Sequence, residues 1–183
     1  MDNNITFLTV DSDVNIAEEH SFIATNNIKA AKQLGEVMAN YMGGSGEVGI
    51  ISHLEGTTSA IDREEGFKQG IRGFTDITII TETPYSSNDS QIAYDKTITF
   101  ISDHPNVNGL FGTNEATLIG IAKAVDDLQL KDDIIVVGFD ISQEAAMYLE
   151  KDIIRAIIVQ RPFNMGYLSV QEAYNQNKNR SNP

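Results

Sequence analysis

VNGLFGTNEATLIGIAKAVDDLQLKDDIIVVGFD, residues 107–140, is the stretch on which the fold rests. It opens with a short apolar run, VNGLFG (107–112), and closes with another, IIVVGF (134–139). Brief runs of apolar, β-branched residues bounded by Gly, Asn or Asp read as strands buried on both faces. Between them Ala116, Ile119, Ala122, Val125 and Leu128 recur at helical spacing. Strand, amphipathic helix and strand make one βαβ unit of a parallel sheet.

The same alternation continues outward. ITFLTV (5–10), SFIAT (21–25), EVGIIS (47–52) and ITIITE (77–82) read as strands upstream, and IIRAIIV (153–159) as one downstream. Ile28, Leu34, Met38 and Tyr41 mark a helix from about 27 to 42; Ile92, Ile98 and Ile101 mark one from about 89 to 103. With right-handed crossovers this is an α/β fold, a doubly wound parallel sheet flanked by helices. The ends fit less neatly. Runs 5–10 and 21–25 are separated only by a polar stretch. A last helix near 163–176, carrying Phe163, Tyr167, Leu168, Val170 and Tyr174, is followed by no strand, and the polar residues 177–183 read as a disordered tail.

Composition narrows the chemistry. The 183 residues carry 13 Lys+Arg against 26 Asp+Glu, a net charge of −13, which argues against nucleic acid as a partner. Cysteine is absent, so disulfides, thiolate-bound metals and thiol nucleophiles are excluded. No apolar run approaches the roughly 20 residues needed to span a bilayer. The start, MDNNITFLTVDSD, shows no secretory signal.

Ligands of an open parallel sheet bind at the carboxyl ends of its strands. The residues following the strands are therefore the candidates: Asp11 after 5–10; Arg63, at a helix start, beyond the polar loop after 47–52; Tyr85 after 77–82; Asn114 after 107–112; Asp140 after 134–139; and Gln160 after 153–159. This mixture of carboxylate, guanidinium, amide and phenol suits a neutral, hydroxyl-rich ligand. Caps and turns explain an Asp or Asn after a strand but not Arg63 or Gln160. Other motifs carry no site. Gly44-Ser45-Gly46-Glu47-Val48-Gly49 matches G-x-G-x-x-G but follows a helix and precedes a strand, so it reads as a helix stop and turn. Asp11-x-Asp13-x-Asn15 starts like a calcium loop, but Ile16 and Phe22 stand where Gly and Glu are needed. His20, His53 and His104 lack ligand spacing and read as surface or loop residues. No nucleophile is paired with a base, so the chain reads as a non-enzyme, with no cofactor and no metal.

TVDSD (9–13), TSAIDREEGFKQGI (58–71), HPNVNGLFGTNEATLIGIAKAV (104–125), IIVVGFD (134–140) and IIRAIIVQRPFNMGYLSV (153–170) together resemble the type I periplasmic sugar-binding proteins of ABC importers, the ribose-binding group. The resemblance implies two α/β lobes that close on one sugar. Residues 1–25 would be remnant strands of the N-terminal lobe, 26–160 the complete C-terminal lobe, and 161–176 the helix returning to the N-terminal lobe. Most of that N-terminal lobe would lie outside this chain. Asp11, Arg63, Asn114, Asp140 and Gln160 fall on the family's sugar-binding positions, and Tyr85 would offer a ring for stacking. Ser12 replaces the arginine usual in ribose binders, and Asn88 stands where many relatives have an aromatic residue. An ABC permease and an extracytoplasmic location are implied for the full-length protein. Surface left open by the missing lobe would make the fragment self-associate. Two other parents share the fold: the effector lobe of a lac-repressor-type transcription regulator, and the sugar-sensing ectodomain of a signalling system.

Overall fold

The computed structural model describes residues 7–14 and 20–180. In chain order the elements are β1 (Leu8–Val10), β2 (Ser21–Ile23), α1 (Asn27–Tyr41), β3 (Ser45–Ile51), α2 (Thr58–Ile71), β4 (Asp76–Ile79), α3 (Ser90–Asp103), β5 (Val107–Gly112), α4 (Glu115–Asp127), β6 (Ile135–Phe139), α5 (Gln143–Glu150), β7 (Ile154–Ile158) and α6 (Pro162–Arg180). The main sheet has the order β4-β3-β5-β6-β7, and every pair is parallel. The chain steps outward from β3 to β4, then returns to the other side of β3 to place β5. Strand order therefore reverses between β3 and β5, the kind of point at whose carboxyl edge open parallel sheets place ligands.

Alternation along the strands divides the core. Leu110 and Val136 face one side, packing with Phe100, Leu118, Ile121 and Val125. Phe111 and Val137 face the other, with Leu34, Met38, Phe67 and Phe139. On that second face Phe67 stacks on Phe111 at 4.4 Å and 9°.

The helices α1 and α2 meet through glycine. A Cβ on Gly66 would run into the Ile28 carbonyl, and one on Gly70 into the Lys32 carbonyl. This closeness explains why the helical faces differ from the expected ones. Ala31, Leu34, Gly35 and Met38 form the buried stripe of α1, whereas Ile28 and Tyr41 are exposed. In α3 the buried residues are Ala93, Thr97 and Phe100, with Ile92 exposed; beyond α4, Leu128 is the exposed C-cap. Small residues let the backbones approach, and Ile28, Tyr41 and Ile92 are left at the rim.

Further boundaries differ from the sequence reading. The polar stretch before Arg63 is already helical: Thr57 takes the extended N-cap conformation and α2 starts at Thr58, so Arg63 lies well inside the helix rather than at its start. Ser, Thr and Asp suit a first turn, and a polar first turn looks like a loop in sequence. The expected disordered tail is helical as far as Arg180; Gln176 donates to Glu172 one turn back and to Ser21 of β2, which ties the last turns down. Residues 181–183 lie outside the described residues, as do Asn15 and Ile16 of the calcium-like motif. Gly43 and Gly44 both have positive φ and end α1 immediately before β3, as a helix stop requires.

The remaining strands, β1 and β2, form a separate two-stranded parallel sheet. Against it lies α6, whose Phe163, Tyr167, Val170 and Tyr174 are 82%, 60%, 72% and 65% exposed. Their spacing of four, three and four residues draws one apolar seam along the helix.

Candidate functional site

At the ends of β1 and β6 the backbone does the same thing twice. Asp11 N–H donates to the Ile23 carbonyl of β2 at 3.0 Å, and Asp140 N–H donates to the Ile158 carbonyl of β7 at 2.8 Å. Each aspartate thus adds one more rung to its strand pair and then turns away with φ of 68°. Left-handed backbone is uncommon outside glycine but tolerated by Asp and Asn, and it lifts both carboxyl groups out of their strands.

Around Asp140 the polar side chains are joined in a row. Gln160 Nε2 donates to both carboxylate oxygens, at 2.9 and 3.1 Å. Its other end, Oε1, accepts from the Thr25 hydroxyl at 2.7 Å. Thr25 precedes α1 and Gln160 precedes α6, so this bond clasps the two segments that connect the small sheet to the main one. On the other side of Asp140, Arg63 Nη1 is 3.9 Å from Oδ2. Arg63 is only 3% exposed. Its Nε donates to Asn27 Oδ1 at 2.8 Å, its Nη1 to the Thr113 carbonyl at 2.7 Å, and its guanidinium lies 4.2 Å from the centre of the Phe139 ring. Such a fork is pre-organised, because packing and two hydrogen bonds leave it little freedom to lose. Beside Thr113, Asn114 caps α4 through Oδ1 and donates from Nδ2 to Asn88 Oδ1 at 3.0 Å.

Electrostatics follows from this packing. Burial pushes the Asp140 carboxyl above the usual range; the Gln160 hydrogen bond and Arg63 pull it back, while Asp11 and Glu115 add to the rise. Burial lowers the Arg63 value, and Asp140 and Asp11 oppose that. A guanidinium nevertheless stays charged in a protein. One cation is therefore set among carboxylates, in a chain of net charge −13.

A cleft of about 490 Å³ opens over this row, lined by Asp11, Asp140, Gln160 and Glu115 among polar groups and by Ile141, Val159 and Met165 among apolar ones. That size lies within the usual range for small-molecule sites. Of the sequence candidates, Asp11, Asp140 and Gln160 line the cleft, Arg63 meets it through Asp140, and Asn114 follows the Thr113 whose carbonyl holds Arg63. Tyr85 does not join them. It forms a parallel bridge with Ser52, burial raises its phenol pKa with the Glu64 and Glu55 charges adding to the rise, and among the described residues no hydrogen bond links it to the row.

Several neighbours were not foreseen. Asn27 and Thr25 sit in an ordinary-looking polar cluster after a strand, and only the crossing of α1 over α2 brings Asn27 to Arg63. Asn88, which stands where an aromatic residue is usual, accepts the Asn114 amide instead. His53, expected at the surface or in a loop, is 6% exposed: its loop folds inward under Thr113, where several hydroxyls meet its ring.

A model of the periplasmic binding protein domain matches residues 1–181. The chain belongs to the periplasmic binding protein family. The ribose import binding protein of Escherichia coli K12 is 26% identical over 170 residues, a match covering 93% of this chain and 56% of that protein. The solved glucose-galactose binding protein of Geobacillus stearothermophilus superposes with a TM-score of 0.89 at 30% identity, covering 94% of this chain and 61% of that one. An ABC transporter solute-binding protein of Burkholderia graminis, solved with D-arabinose, gives 0.86 at 30% identity, covering 92% and 59%. The chain thus spans little more than half the length of these relatives.

Proposed function

We propose that this chain is the C-terminal lobe, with adjoining pieces of the N-terminal one, of an extracytoplasmic protein that captures a monosaccharide reversibly for an ABC importer. The observation that carries the reading is the joined row of Arg63, Asp140 and Gln160 under a cleft of about 490 Å³. A carboxylate accepts from two neighbouring hydroxyls, and Gln160 and Arg63 hold it while it does so. The Nη2 donors of Arg63 are used by no hydrogen bond among the described residues and suit a sugar oxygen. Asn114 and Asn88 offer an amide pair beside them. Each hydrogen bond to a charged group contributes about 1.5–3 kcal/mol. The row holds and orients; it contains no nucleophile placed against a base, so the chemistry it supports is binding. In the whole protein the sugar would bridge two lobes and favour their closed arrangement, which the permease reads.

An importer component is preferred over a transcription regulator's effector lobe because the relatives named above are import or transporter binding proteins. The test is an NMR titration of the 183-residue chain with ribose, glucose, galactose, arabinose and allose. The side-chain amide signals of Gln160 and Asn114 should move with at least one sugar. Asp140→Ala should weaken that binding by about 2 kcal/mol, roughly thirtyfold. If no sugar moves either amide in the folded chain, or if Asp140→Ala leaves the affinity unchanged, the assignment of this cleft fails.

A further inference from the structure

Arg63 is directed by a carbonyl, that of Thr113, and Thr113 is itself held from one direction by His53. The His53 backbone N–H donates to Thr113 Oγ1 at 2.9 Å, and His53 Nδ1 lies 2.7 Å from the same oxygen. That hydroxyl accepts the backbone N–H and can turn its own hydrogen to Nδ1. In that arrangement the ring is neutral with its proton on Nε2, which lies 3.1 Å from Ser59 Oγ in the first turn of α2. The ring therefore touches both ends of the Arg63 support: the Thr113 turn that accepts from Nη1, and the helix that carries the side chain. The His53 carbonyl also accepts the Asn88 N–H at 3.1 Å, beside the Asn114 amide. A residue that only filled space would be apolar; here the surroundings are Ser52, Thr57, Ser59 and Thr113, and a ring with one acceptor and one donor is what they match.

We propose that His53 is a positioning residue of the cleft: as a neutral ring protonated on Nε2, it locks the Thr113 turn against the start of α2 and so sets the direction of the Arg63 guanidinium. This rests on the reading of the cleft as a sugar site, but the lock itself can be measured without sugar.

The experiment is ¹⁵N NMR on the whole chain without ligand, following water exchange of the Arg63 Nη1–H protons, which the Thr113 carbonyl accepts, and the ring nitrogens of His53. In His53→Ala and in Thr113→Val that exchange should quicken about tenfold, the loss expected for one buried hydrogen bond in a relay. The double variant should be no faster than either single one, because the two residues act in series. His53→Asn, whose carbonyl oxygen can take the place of Nδ1, should restore slow exchange to within about twofold. If His53→Ala does not fold, the comparison of His53→Asn with Thr113→Val decides. Unchanged exchange in the folded variants, additive effects in the double one, or a ring protonated on Nδ1 would overturn the proposal. A chain that binds no sugar but shows the relay would sink the sugar assignment alone.

Discussion

Lowering the pH should destabilise this protein through His53 before most of its carboxylates titrate. Burial, helped by the nearby Arg63 charge, depresses the His53 value from 6.5 to about 4. The sign follows from proton counting. Between those two values the unfolded chain carries a proton on His53 that the folded chain does not, so acid favours unfolding. The stabilisation is complete above 6.5 and is lost as the pH falls towards 4. A gap of about 2.5 pH units at about 1.4 kcal/mol each gives about 3 kcal/mol in total. That is a large share of the roughly 5–15 kcal/mol that holds an ordinary domain together. Urea unfolding followed by circular dichroism between pH 7.5 and 4.5 measures it, with His53→Asn as the reference. Other groups contribute to the raw curve with both signs. Burial raises Asp62 and Asp140, which gain as the pH falls, while hydrogen bonds lower Asp13 and Glu172, which lose. Subtracting the reference removes what the two proteins share. The wild type should lose about 2–3 kcal/mol more than His53→Asn across the window. Parallel curves would refute the reasoning, since a ring that titrates alike in both states cannot be the buried neutral group described above.

The remaining predictions concern packing, capping and the open helix. Gly66→Ala places a methyl against the Ile28 carbonyl and should cost about 1–3 kcal/mol in urea unfolding, because backbone cannot give way as a side chain can; a neutral result would mean that α1 and α2 are not in such close contact. Asn114→Ala removes the acceptor for the Thr117 N–H at the start of α4 and should cost about 1 kcal/mol, whereas Asn114→Asp should hold the cap. At about 100 µM the chain is expected to self-associate through the seam of Phe163, Tyr167, Val170 and Tyr174. Light scattering should then report a species larger than 20.1 kDa, and Phe163→Glu with Tyr167→Lys should return it to a monomer; a wild-type monomer would count against the seam.

Legibility differed between the sheet and the site for a physical reason. Buried parallel strands are apolar on both faces, so β5 and β6 stand out as runs wherever they occur, and the helix between them must supply the crossover. The residues that follow such strands lie at one edge by geometry alone, which is why Asp11, Asn114, Asp140 and Gln160 could be picked out in order. Arg63 needed more: it stood out as a residue that capping and turns do not explain, but its seat inside α2 was hidden by a first turn that reads as loop.

Local pattern determined the α/β layering, the parallel sense of the main sheet and the edge at which its polar residues gather, because each depends on neighbours a few positions apart. Tertiary contact decided the rest. Asn27 reaches Arg63 only because two helices touch through glycine, and Thr25 reaches Gln160 only because two distant connections run side by side. His53 is buried because Thr113, sixty residues away in the chain, folds over its ring. Hydrogen bonds of that kind join residues with no periodic relation, so no spacing announces them, and they alone convert a line of strand ends into a shaped cleft.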